Sequence, residues 1–195
     1  MKHLVTYTHP NPKSFNHAIK EAFVEELEGN GQEVRVRDLY EIGFYPVLTA
    51  SDFEKIQNGT VLDDVKAEQD HIRWAEVITF IHPIWWTGMP ALMKGYIDRV
   101  FTFGFAYLID EHGVKGLLQD KKAIIINTTG TDRETYGKIG MLKSLTQTID
   151  DGIYKFCAME IVDHKYFCAV PYITNEERIT MLKEVRNIAR SVSGR

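Results

Sequence analysis

Three short segments concentrate the residue types that handle ligands. The first is His9-Pro10-Asn11-Pro12-Lys13-Ser14-Phe15-Asn16. Two prolines stiffen it, and Ser14 stands where a helix N-cap belongs, ahead of an apolar face at Phe15, Ala18, Ile19, Ala22, Phe23 and Leu27. A helix N-terminus offers unpaired N–H groups and the positive end of a dipole, which together accept anions. Ser14 and Asn16 can add side-chain hydrogen bonds, and His9 or Lys13 a positive charge. An ordinary helix cap has the same pattern, and no G-x-G-x-x-G is present to support a Rossmann dinucleotide loop.

The second segment is His82-Pro83-Ile84-Trp85-Trp86-Thr87-Gly88-Met89-Pro90. Adjacent tryptophans in a loop need an apolar partner, which is either the protein core or a flat heteroaromatic ring. Backbone N–H groups of the same loop can bond such a ring's polar edge. The third is Asn127-Thr128-Thr129-Gly130-Thr131, running on to Tyr136. Its hydroxyls and amides suit the oxygen and nitrogen edge of a ring, and a Tyr136 phenol can donate a proton or stabilise negative charge. A polar strand-to-helix turn would carry the same residue types.

These segments need a frame that brings them together. Apolar strand-like runs at 3–8, 77–81, 123–127 and 161–169 alternate with helical periodicity at 15–28, 61–75, 90–103, 138–156 and 175–191. Residues 33–38 alternate strictly, as an edge strand with one wet face does. Continuous apolar strands separated by helices predict an α/β three-layer sandwich: a five-stranded parallel sheet of flavodoxin-like order 2-1-3-4-5 within one domain, 1–195. Ligands of such sheets sit outside the carboxyl ends of the strands, where all three segments fall. Residues 40–60 and 104–120 read as the least regular stretches. Gly95, inside a predicted helix, points to close backbone packing.

The bulk composition is that of a globular protein, with 44% hydrophobic and 26% charged residues. A net charge of -4 implies no basic face, and nucleic acid is not an expected partner. No apolar run approaches the ~20 residues of a membrane span. A strand is expected from His3 onward, and a signal peptide is not expected. Cys157 and Cys168 form no C-x-x-C or zinc pattern. They read as buried free thiols suited to a reducing cytoplasm, and no metal site is expected.

Taken together, His9 with Ser14-Phe15-Asn16, the block from His82 through Phe101, Gly104-Phe105-Ala106-Tyr107 and Thr128-Thr129-Gly130 resemble the NAD(P)H:quinone oxidoreductase family. That family includes the DT-diaphorases, the bacterial modulator-of-drug-activity and general-stress quinone reductases, and the ancillary subunits of potassium efflux. The resemblance covers nearly the whole chain, and the block from 82 to 107 is its most specific part. It implies a flavin whose phosphate end is held by Ser14, Phe15 and Asn16, with His9 close by. It implies that Pro83, Ile84, Trp85 and Trp86 lie along the isoalloxazine, and that Thr128, Thr129, Gly130 and Tyr136 face its pyrimidine edge.

The implied reaction is ping-pong: NAD(P)H delivers a hydride to the flavin and a quinone then takes its place, with Tyr136 as the catalytic residue. Trp86, Tyr136 and Tyr107 would bound the substrate. Family members are homodimers, and Tyr107 would reach the site from the second subunit. The aromatic run Phe101, Phe103, Phe105 and Tyr107 reads as too exposed for a lone loop, and so as interface. The mammalian enzymes carry a histidine shortly after the position of Tyr136, where this chain has Gly140, Met141 and Leu142, so a Tyr–His relay is not implied. They also carry a C-terminal extension that this chain lacks, which favours FMN, with FAD as the alternative. The alternative functions are a broad nitro- or azo-compound reductase and a regulatory flavoprotein subunit in peripheral contact with a potassium-efflux transporter.

Overall fold

The structure is a computed structural model and describes residues 1–193. Five strands, β1 (Lys2–Tyr7), β2 (Glu33–Asp38), β3 (Val77–Pro83), β6 (Lys122–Thr128) and β7 (Glu160–Phe167), form one parallel sheet in the order β2-β1-β3-β6-β7. Counted along the main sheet alone, this is the expected 2-1-3-4-5. The apolar runs of β3 and β6 are buried on both faces because helices cover both. On one face α1 (Phe15–Gly29) and α7 (Asn175–Ser191) pack on Val5, Val77, Ile81, Ile124 and Ile126. On the other, α3 (Asp63–Trp74) and α4 (Ala91–Val100) pack on Leu4, Ile78, Phe80 and Ile125. Neighbouring residues of each strand thus serve opposite cores, which fixes the register.

The two irregular stretches hold more structure than their composition suggests. Residues 40–60 include α2 (Ala50–Gln57), started by a capping box between Thr49 and Asp52. Buried Arg99 ties this insert to α4, donating to Asp52 at 3.0 Å, Asp64 at 2.6 Å and the Tyr45 carbonyl at 2.8 Å. Gly95 has the expected reason: a Cβ there would lie 2.2 Å from the Pro46 carbonyl oxygen. Residues 104–120 contain an antiparallel hairpin, β4 (Tyr107–Asp110) and β5 (Gly113–Gly116), seated where Gly116 meets the backbone at Cys157 and Ala158.

The helix expected over 138–156 is present as α6 (Met141–Thr146) running straight into a π-helical segment, Gln147–Tyr154, and a separate short helix, α5 (Arg133–Lys138), precedes it. Gly140, at φ 72°, separates α5 from α6 and moves the start of the expected helix to Met141. The last strand also ends sooner, so Cys168 lies beyond it and is half-buried, whereas Cys157 is buried. The aromatic run at 101–107 divides. Phe101 belongs to the core against Phe80 and Tyr154, Phe105 lies half-buried under the Arg73 guanidinium, and Phe103 is exposed.

Candidate active site

The carboxyl ends of β1, β3 and β6 open into one cavity of about 560 Å³, inside the roughly 300–1,000 Å³ span of small-molecule sites. His9, Ser14, Phe15, Asn16, Pro83, Ile84, Trp85, Trp86, Thr128, Thr129, Gly130 and Tyr136 all line it. Thr131 and the pair Val170 and Pro171 line it too. That pair lies outside the three segments, in the loop after the fifth strand, and no residue type there signals a ligand. The fifth strand ends at the same edge, and the backbone of its following loop binds Thr129 and Thr131.

The first wall is the start of α1. Ser14 caps the helix, its hydroxyl accepting from the His17 amide at 3.1 Å. Among the described residues, the Phe15 and Asn16 amides donate to no protein acceptor, so they remain available to an anion. Asn16 is buried, donates from Nδ2 to Thr128 Oγ1 at 2.7 Å, and leaves its own Oδ1 without a partner. The positive charge expected of His9 or Lys13 is not built in. Burial pulls the His9 imidazole below its ordinary range, and its Nδ1 accepts from the Asn11 amide at 3.0 Å. A neutral ring with hydrogen on Nε2 fits that arrangement. Lys13 is exposed and not among the lining residues.

The second wall is a tight hairpin. Trp85 and Gly88 exchange two backbone bonds of 3.0 Å, with Trp86 and Thr87 at φ 50° and 55° between them. Both central residues of a type I′ turn need positive φ, normally the province of asparagine and glycine. Trp86 is fully exposed, and Trp85 meets the His9 ring edge-on at 5.6 Å.

The third wall is anchored. The Thr128 carbonyl accepts from the Ile84 amide at 2.8 Å, the Thr129 amide donates to Phe167, and the Thr129 hydroxyl donates to the Thr131 carbonyl at 2.6 Å. Gly130 is exposed, and its amide has no protein acceptor among the described residues. Tyr136, half-buried on α5, closes this side. Gly140, Met141 and Leu142 do not line the cavity.

Tyr107 is not brought to the cavity of its own chain. It packs against Phe103 and Phe156 beside a separate groove of about 350 Å³. Beneath the cavity floor lies a polar group that sequence reading missed, made by His82, Asn127, Asp150 and His164. Its members are far apart in the chain, so spacing carries no signal of it.

The arrangement suits a flat ring with an anionic tail. Free helix-start amides meet the anion, indole faces meet the ring, and Gly130 with the buried Asn16 oxygen offers polar contacts. A flavin nucleotide has these parts.

Residues 1–188 match a family model described as flavodoxin-like fold. A Haemophilus influenzae protein named as an uncharacterized NAD(P)H oxidoreductase is 35% identical over 94% of this chain and 91% of its own. NAD(P)H dehydrogenase [quinone] 1 of Rattus norvegicus is 30% identical over 92% of this chain and 73% of its own. The solved NAD(P)H:quinone oxidoreductase of Methanothermobacter marburgensis superposes with a TM-score of 0.89 at 28% identity, covering 100% of this chain and 98% of that one.

Proposed function

The chain belongs to the flavodoxin-like fold family, and from that premise we propose that it is a flavin-dependent NAD(P)H:quinone oxidoreductase. The observation that carries this reading is convergence. A helix start with free amides, a tryptophan hairpin and a Thr-Thr-Gly turn, distant in sequence, surround one cavity. The names of the relatives support the same reaction.

When bound, the flavin supplies two-electron hydride chemistry, between NAD(P)H as donor and a quinone as acceptor. The chain's own residues bind and orient. Ser14 and the Phe15 and Asn16 amides hold the phosphate, and neutral His9 adds an Nε2–H donor. Pro83, Ile84, Trp85 and Trp86 lie along the ring system. Thr128, Thr129 and Gly130 would face its polar edge, where the Gly130 amide and the Tyr136 hydroxyl would stabilise negative charge. Trp86 and Tyr136 bound the place that donor and acceptor occupy in turn.

FMN is the proposed nucleotide, because the cavity presents one helix start and so one phosphate site; FAD is the alternative. The chain acts as one domain and as a two-fold dimer, in which Tyr107 reaches the cavity from a second copy. Its distance from its own cavity and the exposed Phe103 and Phe156 beside it support this. No helix among the described residues is long and apolar enough to cross a membrane, and the free cysteines suit the cytoplasm. The nitro- or azo-reductase and transporter-subunit alternatives use the same cavity and add no residue of their own.

Two-substrate kinetics of protein reconstituted with FMN tests the reading. Parallel double-reciprocal lines for NAD(P)H and a small quinone are expected. Intersecting lines overturn the shared site, and absence of turnover overturns the activity.

A further inference from the structure

A buried polar chain runs beneath the cavity and is used by none of the steps above. Asp150, on the π-helical segment, lies 2.5 Å from His164 Nδ1 through its Oδ1. The side chains of His164 and Asp150 are 6% and 8% exposed. His164, on β7, places Nε2 2.8 Å from Asn127 Oδ1 and stacks on Tyr166 at 4.2 Å between ring centroids. Asn127, on β6, donates from Nδ2 to the His82 carbonyl at 3.1 Å and faces the His82 ring at 3.2 Å.

The hydrogen positions follow from the acceptors. A carbonyl can only accept, so the Asn127 NH2 must face His82 and its oxygen must face His164. His164 Nε2 therefore carries a hydrogen, while its Nδ1 faces the Asp150 carboxyl.

One residue beyond this chain on each strand the walls begin. Pro83 follows His82 and Thr128 follows Asn127. Thr128 in turn accepts from Ile84 through its carbonyl and from Asn16 through its hydroxyl. The chain from Asp150 thus ends one residue short of the β3 and β6 walls, and Thr128 links these to Asn16 of the first wall. Stability alone does not account for it, since well-packed apolar residues often replace buried ion pairs without loss.

We propose that His164 is a positioning residue of this site: anchored by Asp150, it fixes the Asn127 amide and through it the spacing between the β3 and β6 walls. The proposal rests on the flavin-binding reading above, because the walls it spaces are those assigned to the ring and its polar edge.

The test uses the full chain and FMN fluorescence quenching in an Asp150→Asn background, where no buried carboxylate is left unpaired. His164→Gln restores a donor near the Nε2 position and can still reach Asn127; His164→Asn is a neutral amide too short to do so. The Gln variant is expected to bind FMN within about twofold of its background, and the Asn variant about tenfold more weakly, with similar apo thermal midpoints. Equal affinities overturn the proposal alone. No quenching by the unsubstituted protein overturns the flavin reading and this proposal with it. If a variant fails to fold, the isotope-labelled histidine ring nitrogens of the native chain decide. FMN is expected to shift the His164 and His82 signals with Nε2 of His164 protonated, and unchanged signals refute the coupling.

Discussion

The loop after β3 turns back on itself at once through Trp86 and Thr87, both in left-handed backbone, with Trp86 fully exposed. The loop after β6 does the opposite: Thr128 and Thr129 are buried and bound to Ile84, Asn16, Phe167 and Thr131. One wall stores strain and presents a ring surface; the other is rigid and presents aimed donors. The difference fits the chemistry of the proposed ligand. Stacking tolerates a sliding contact, whereas charge stabilisation requires donors already in place.

The largest expected effect falls on the anchored wall. Thr128→Val keeps the shape but removes the acceptor for the buried Asn16 amide. Chemical denaturation should show a loss of about 2 kcal/mol, together with weaker flavin binding. A loss no larger than that of a surface substitution would show that this wall is not held by its hydrogen bonds.

Protonation acts at the base of the other wall. Burial holds the His82 imidazole down to about 4, from an ordinary 6.5. Between those values the unfolded chain binds the proton and the folded chain does not. Stability therefore rises with pH through this window, is complete above 6.5, and is lost on acidification. From pH 6.5 to 5 the His82 contribution should fall by roughly 2 kcal/mol. His3, also held to about 4 by burial at the far end of the sheet, adds to the slope. Denaturation midpoints across that range for His82→Phe should keep only the remainder, and an unchanged slope would remove His82 from the account.

Tyr136→Phe tests the donor role directly. With the Gly130 amide sharing the task, stopped-flow reduction by NADPH should slow about tenfold, or ~1.4 kcal/mol, with flavin binding nearly intact. An unchanged rate would leave Tyr136 as packing.

The smallest effect has the opposite sign. Thr87→Gly relieves a left-handed residue and should stabilise the protein by about 1 kcal/mol, visible as a thermal midpoint roughly 2–4 °C higher. A fall would mean that the Thr87 side chain supports the hairpin in a way its exposure hides.

Much of this was legible in the sequence because local pattern and global fold agree. The buried runs of β3 and β6, the cap at Ser14 and the periodicity of α1 and α7 each report one element, and order along the chain dictates the sheet. The twelve cavity-lining positions expected from the three loops meet at one edge for the same reason. The failures have physical causes. Apolar periodicity starts a helix at 138, whereas the left-handed Gly140 delays it to Met141 and leaves a separate short helix, α5, ahead of it. Thr49 and Asp52 are a readable cap, yet the surrounding irregularity masked a helix of two turns. The charge expected on His9 is disfavoured because burial lowers the imidazole below its ordinary range, and its Nδ1 is taken up in accepting from the Asn11 amide. The chain from Asp150 to His82 joins three strands and a π-helical segment, a juxtaposition that no window of sequence contains.

The central claim is that these walls enclose one flavin. Titrating FMN into the apo chain while following both flavin fluorescence and the emission of Trp85 and Trp86 tests it most directly. The account predicts quenching of both signals that breaks at about one flavin per chain. It also predicts that Trp86→Ala removes most of the tryptophan response while leaving the stoichiometry unchanged. Flavin fluorescence that stays at its free value throughout the titration would contradict it.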